Sequence, residues 1–329
     1  MKKVLKWTLI VIAAVYSLIV LAGPVVLLNL LCDKHVTYRK VYTAEEAGLP
    51  DPDTLWLRSE DGFRIHTLEV RPERAPKGAV ICLSGIENPS VTAFYGHARE
   101  FRDLGLVTLM PDVRGHGDSD GDKICLAYHE TADVKAATEY IKKTYNDIPV
   151  IVMGLSMGGA IAIRSIGENE DIDALVSLSA FSSLQDFIGW HLGRFITPVL
   201  ACPARLSTAI YAGIKFDCNG FKDTPLEAIG RLNGRPALMM QSRKDTQVPY
   251  QCFEKLTERA KTATSGLRTY VVDGDEHFIT GSFGIPENDE EYNTTLIEFI
   301  KSVINENNQA EQDQHSHHSR PVSGPSHIS

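Results

Sequence analysis

Ser156, Asp245 and His277 occur in that order, each shortly after a run of apolar residues ends. Hydroxyl, carboxylate and imidazole are the groups that nucleophilic catalysis uses. A serine hydroxyl is a poor nucleophile until a base takes its proton. Histidine can be that base, and a carboxylate can fix the histidine's tautomer. Ser156 has the strongest local context. Ile148 to Ala160 reads Ile-Pro-Val-Ile-Val-Met-Gly-Leu-Ser-Met-Gly-Gly-Ala. A β-branched run followed by Gly-x-Ser-x-Gly and then small apolar residues predicts strand, sharp turn and helix, with the serine at the tip. Side chains at 154 and 158 would collide where strand and helix fold back, and Gly159 and Ala160 keep the helix start thin. A glycine-rich turn whose serine only caps the helix shares this local pattern, so the rest of the chain must decide.

Asp245 stands in Gln-Ser-Arg-Lys-Asp-Thr-Gln-Val-Pro, just past the strand-like run Pro236–Gln241. His277 stands in Asp-Gly-Asp-Glu-His-Phe, just past Leu267–Val272. Asp273, Asp275 and Glu276 are weaker acids for this role, being too near His277 in sequence to approach it from a neighbouring strand end. A tetrahedral intermediate also needs preorganised donors for its negative oxygen. The N–H of Met157 directly follows the serine at a helix N-terminus, where the helix dipole helps. The second expected donor is the N–H of Ile86, in the loop Ser84-Gly85-Ile86-Glu87-Asn88.

The elements that must position these groups alternate. Strand-like runs fall at Gly78–Leu83, Leu106–Met110, Pro149–Met153, Ala174–Leu178, Pro236–Gln241 and Leu267–Val272, with helical patterns near 92–104, 127–145, 157–168, 250–262 and 287–304. This predicts an α/β fold with right-handed crossovers and a mostly parallel sheet covered by helices on both faces. Before it, residues 53–71 alternate apolar and polar around Glu60-Asp61-Gly62, a hairpin signal. Between 182 and 225 no strand is evident, and Phe187, Trp190, Phe195, Val199, Ile210, Ile214 and Phe216 make a helical insert or lid the expected reading. An apolar lid suits an apolar acyl substrate; an ordinary packed helical layer is the plainer alternative.

The 329 residues carry a net charge of −9, with no basic cluster interleaved with aromatics, which argues against nucleic acid as a partner. The six cysteines lack zinc spacing, and no metal or organic cofactor is called for. Cys202 and Cys218 flank one stretch of the insert; they could pair if the domain lies outside the cytoplasm, and unpaired is the expected state. Trp7 to Leu31 is uncharged over 25 residues, enough to cross a bilayer. A cleaved signal would have a shorter apolar region and a small-x-small site. An uncleaved anchor is therefore expected, with residues 1–6 in the cytoplasm. Lys2, Lys3 and Lys6 precede the segment, and Lys34, Arg39 and Lys40, with Asp33, follow it; the positive-inside rule mildly favours a single-pass membrane protein with the large domain outside. Residues 32–52 read as a linker, 53–304 as the main domain, and 305–329 as a disordered polar tail in which His315, His317, His318 and His327 are solvated rather than metal-bound.

Taken together, Asp112-Val113-Arg114-Gly115-His116-Gly117-Asp118-Ser119, Gly154-Leu155-Ser156-Met157-Gly158-Gly159, Ser179-Ala180-Phe181-Ser182-Ser183, Asp245 with Val248-Pro249, and His277-Phe278 resemble the α/β-hydrolase superfamily, most closely its serine aminopeptidase-like and monoacylglycerol lipase-like branch. The resemblance covers about residues 53–304. It implies a hydrolase with Ser156 as nucleophile, His277 as base and Asp245 as acid, acting on small-molecule or lipid esters through an acyl-enzyme. Peptide or amide hydrolysis and acyl transfer use the same residues, but no group that would bind a peptide terminus is identifiable. A tethered binding module with a dead hydrolase fold would be marked by a broken triad, whereas all three residues are present. The resemblance makes the Asp112–Ser119 loop structural. One departure stands out: such proteins usually begin the oxyanion loop with His-Gly, and here it begins Ser84-Gly85.

Overall fold

The computed structural model describes residues 2–318 except 88 and 147. Eight strands form one sheet: β1 (Asp53–Arg58), β2 (Arg64–Val70), β3 (Ala79–Leu83), β4 (Val107–Pro111), β5 (Val150–Leu155), β6 (Ala174–Leu178), β7 (Ala237–Ser242) and β8 (Leu267–Val272). Their order across the sheet is β1-β2-β4-β3-β5-β6-β7-β8. The expected hairpin pairs β1 with β2 antiparallel, and β2 joins β4 antiparallel. From β4 onward every pairing is parallel.

Strands β3 to β7 are buried on both sides, and their residues alternate between two cores. Ala79, Ile81 and Leu83 of β3 face one core, together with Val150 and Val152 of β5. Val80, Cys82, Ile151 and Met153 face the other. Helices α3 (Thr131–Tyr145), α4 (Met157–Glu168) and α8 (Tyr250–Lys261) cover the first side. On the second side lie α2 (Tyr95–Asp103) and α9 (Glu290–His318). Helix α3 begins later than its periodicity suggests because Leu126 and Ala127 have positive φ, at 51° and 74°.

Two regions depart from expectation. Helix α9 runs on to His318, whereas the polar composition beyond 304 predicts disorder. Residues 305–314 include Glu, Gln and Ala but neither proline nor glycine, so nothing there stops a helix already nucleated. The rest of that tail, 319–329 with His327, lies outside the described residues. The linker is docked rather than loose: Val36 N–H donates to Gly115 O at 2.7 Å, and Gly117 N–H donates to Val36 O at 2.9 Å. His35 presents its two ring nitrogens to Gly121 O and Gly117 O, at 2.7 and 2.8 Å.

The insert is helical, as expected, with α5 (Leu184–Gly193), α6 (Pro198–Lys215) and then α7 (Pro225–Ile229). Its apolar residues divide. Ile188 and Phe216 are buried, while Phe195, Val199, Leu200, Ile210 and Ile214 face outward. The N-terminal helix α1 (Lys2–Cys32) is long and apolar enough to cross a membrane. Its Leu28 and Cys32 enter the core of the domain. All six cysteines are free, Cys202 and Cys218 included.

Candidate active site

The strand order sets out the candidate residues in sequence along one sheet edge. Loops leaving the carboxyl ends of β3, β5, β6, β7 and β8 carry Ile86, Ser156, Ser179, Asp245 and His277 in turn. Parallel sheets bind ligands at this edge.

Ser156 sits between the end of β5 and the start of α4 with φ 58° and ψ −116°. A non-glycine residue held there stores strain that the surroundings must enforce. Its N–H donates to Leu178 O at 2.8 Å, clamping the turn to β6. The glycines account for the rest. A Cβ on Gly154 would lie 2.1 Å from Gly158 O, and one on Gly158 would lie 2.2 Å from Leu83 O. Strand, turn and helix are thus in backbone contact, and the seryl side chain is left partly exposed. Met157 is buried at the first position of α4.

Asp245 is 4% exposed and His277 7%. His277 Nδ1 donates to Asp245 Oδ2 at 2.7 Å. Three more donors reach the carboxylate: Gln241 Nε2 at 2.9 Å, Gln247 N–H at 2.8 Å and Val248 N–H at 3.0 Å. The histidine loop is pinned by its own backbone. Ser242 Oγ donates to Glu276 O and Ser179 Oγ donates to His277 O, each at 2.6 Å. Ser179 follows β6, the neighbour of β5, so this bond draws His277 back across β7 towards Ser156. Asp273, Asp275 and Glu276 are exposed, and Asp273 pairs with Lys244.

The structure therefore joins Asp245 to His277 directly, while among the described residues Ser156 Oγ makes no hydrogen bond. Catalytic hydrogen bonds are often long without substrate and tighten on binding.

Ile86 lies in the loop after β3, where Gly85 approaches the serine: a Cβ on Gly85 would stand 3.6 Å from Ser156 Cβ. His116 Nε2 donates to Ile86 O at 2.6 Å from a fully buried ring. The loop that carries His116 is itself tied down. Arg114 Nη2 bonds Asp133 Oδ1 at 2.7 Å, and His66 Nδ1 bonds Asp112 Oδ2 at 2.9 Å. That second bond raises the His66 imidazole above its ordinary value. A further tie comes from the linker, where Lys34 pairs with Glu87.

Several of these supports were missed from sequence. Gln241 is an amide in an otherwise apolar strand, four residues before the acid, and that was a usable signal. His116 and Lys34 act on Ile86 and Glu87 across 30 and 53 residues, and no local pattern announces them.

Comparison with known proteins adds four findings. The family model described as serine aminopeptidase, S33, matches residues 74–223. The uncharacterized protein YqkD of Bacillus subtilis is 24% identical across 75% of this chain and 78% of its own. Human monoglyceride lipase is 30% identical over 37% of this chain, but the match spans only 40% of the lipase's length. Among solved structures, the Pyrococcus furiosus esterase Pf2001 superposes with a TM-score of 0.63 over 83% of this chain and 99% of its own, at 20% identity. A likeness at that identity speaks to the fold.

Proposed function

We propose, from the likeness of residues 74–223 to the serine aminopeptidase, S33, family model and from the α/β-hydrolase fold, that this chain is a membrane-anchored serine hydrolase of the α/β-hydrolase superfamily that cleaves carboxylic esters through an acyl-enzyme. One observation carries the reading. A strained serine elbow and a buried Asp245–His277 pair share a sheet edge, and Ser179 draws the histidine loop towards the serine.

With Nδ1–H committed to Asp245, His277 keeps Nε2 free to take the proton from Ser156 Oγ. The seryl oxygen then attacks the ester carbonyl. Negative charge collects on the carbonyl oxygen, which accepts from the N–H groups of Met157 and Ile86. Collapse expels the alcohol, protonated by His277, and leaves an acyl group on Ser156. Water repeats the sequence: His277 removes its proton, the acid departs and the serine is restored. Asp245 stabilises the imidazolium, with Gln241, Gln247 and Val248 holding it in place.

An ester agrees with the esterase and lipase named among the relatives. Helix α1 would keep the domain beside its substrates, with Lys2, Lys3 and Lys6 on the cytoplasmic side. The family model's own description favours a second reading, hydrolysis of an aminoacyl bond. Turnover of p-nitrophenyl esters from acetyl to palmitoyl by the full chain in vesicles, beside aminoacyl p-nitroanilides, separates the two. Ester turnover that vanishes in Ser156→Ala is the expected result. Turnover of anilides alone would replace the ester reading. Turnover that persists in Ser156→Ala would overturn the serine mechanism.

A further inference from the structure

Helices α6 and α8 both lie on the outside of the domain, but they present opposite surfaces. The exposed residues of α8 are Gln251, Glu254, Lys255, Glu258, Arg259 and Lys261, all polar. Among the described residues of α6 every exposed side chain is apolar or a thiol, including Val199, Leu200, Cys202, Leu206, Ile210 and Ile214. Val199 is 81% exposed and Ile214 72%. The two cations of α6 are both committed, Arg205 to Asp186 and Lys215 to Asp33. A contiguous apolar face of this size on a soluble domain marks an interaction surface.

The position of α6 says what covers that face. It packs alongside α1 with the two chains running in the same direction. Tyr16 Oη donates to Leu200 O at 2.8 Å, and Ser207 Oγ donates to Val20 O at 2.7 Å. Tyr211 Oη donates to Asn29 Oδ1 at 2.7 Å, and Lys215 Nζ to Asp33 Oδ1 at 2.6 Å. On α1 the residues buried against the rest of the molecule are Val20, Pro24, Leu28 and Cys32, and its other faces remain exposed.

A hydrocarbon core of about 30 Å takes about 20 helical residues. Counted from Trp7, just past Lys6, that length of α1 ends near Val26. The contacts at Tyr16 and Val20 lie about 15 and 9 Å on the membrane side of that boundary. For α6 to stand clear of the lipid, the span would have to end before Tyr16, which is too short to cross.

We propose that the outer face of α6 is immersed in the bilayer beside α1, so that anchor and insert form one membrane-embedded pair and the insert meets lipid directly. This rests on the reading of α1 as an anchor. Depth is limited at the tip between α5 and α6, where Arg194 lies over the Trp190 ring, because a guanidinium near the midplane is costly. The local bilayer thins to meet it. An acyl substrate would then reach the insert sideways from the leaflet, without crossing water.

Cys202 provides the probe site. A Cys218→Ser chain labelled at Cys202 with an environment-sensitive fluorophore, in phosphatidylcholine vesicles, is compared with Leu18→Cys and Glu258→Cys labelled in a Cys202→Ser, Cys218→Ser background. Quenching by brominated lipid and by aqueous iodide is read at each site. The expected result is that Cys202 follows Leu18: quenched by lipid and shielded from iodide, with Glu258→Cys the reverse. If Cys202 follows Glu258 while Leu18 stays in lipid, the immersion of α6 is wrong and the anchor stands. If Leu18 is also reached by iodide and not by lipid, the anchor reading fails first and the proposal with it. Shielding of Cys202 without lipid quenching, together with Cys202–Cys202 cross-linking, would assign the face to a second copy of this chain and overturn the proposal.

Discussion

The two arms of the candidate site are built from different material. The arm that holds Asp245 and His277 is centred on side-chain atoms: the imidazole, one amide and two backbone N–H groups converge on one carboxylate, and two seryl hydroxyls pin the loop behind the imidazole. The arm that holds Ser156 and the proposed oxyanion donors is made of main chain. There the backbone of β3, the elbow and α4 touch through glycines, and the serine's own φ is forced positive. The first arm stores its function in atom identity and the second in the absence of atoms. An isosteric change should ruin the first and leave its shape intact. Added bulk should ruin the second whatever its chemistry.

The largest effect tests the side-chain arm. Asp245→Asn keeps the shape but offers the wrong partner to His277 Nδ1–H, and kcat should fall about 10⁴-fold with the melting temperature little changed. A loss of less than tenfold, measured by ester turnover, would remove Asp245 from its role. Next comes the main-chain arm. Gly158→Ala would put a Cβ 2.2 Å from Leu83 O and 2.5 Å from Ser84 O. Pushing the oxyanion loop away should cost about 10²- to 10³-fold in kcat, alongside a lower melting temperature. Gly85→Ala is the control in the same loop, since its Cβ would make only an ordinary contact with Ser156; its rate should stay close to that of the parent. If both alanines behave alike, contact distance does not govern this arm.

His116→Phe sharpens the contrast, because it removes a side chain that serves the main-chain arm. The bond to Ile86 O is lost, yet both donors remain. The expected loss in kcat is smaller than that of an oxyanion donor, with KM held. A change confined to KM would show that His116 does not orient the loop.

A histidine outside the site calibrates the comparison at the small end. His97 is fully buried against Tyr292, with no acid partner among the described residues. Burial alone pushes its imidazole from 6.5 down to about 3. Between these values the unfolded chain binds a proton that the folded chain refuses, so stability falls as pH drops through that window and is unaffected above it. Each pH unit is worth up to about 1.4 kcal/mol. Thermal melts of the full chain from pH 7.5 to 4.5 should show the decline beginning near 6.5. In His97→Phe that component should be gone, and an unchanged profile would contradict the assignment.

Much of this organisation was legible in the residues themselves. Buried parallel strands read as continuous apolar runs, and the elbow reads as glycines around a serine because backbone contact admits nothing larger. Asp245 and His277 could be found because strand ends are visible in the pattern. The supports were harder to see. His116, Lys34 and Ser179 act on peptide groups far away in the chain, and hydrogen bonds to main chain leave no trace in the partner's identity. The apolar residues of α6 were legible as apolar but not as outward-facing, since a helix bound for lipid and a helix bound for a pocket share one composition. Beyond 304 polar composition suggested disorder, but a helix with no breaker simply continued.

The most direct test of the central claim is reaction of the full chain with a fluorophosphonate, followed by intact-mass analysis and peptide mapping. The account predicts a single adduct, on Ser156, that is lost in Ser156→Ala and strongly slowed in His277→Ala. No adduct on a folded chain, or an adduct on another serine that survives Ser156→Ala, would contradict it.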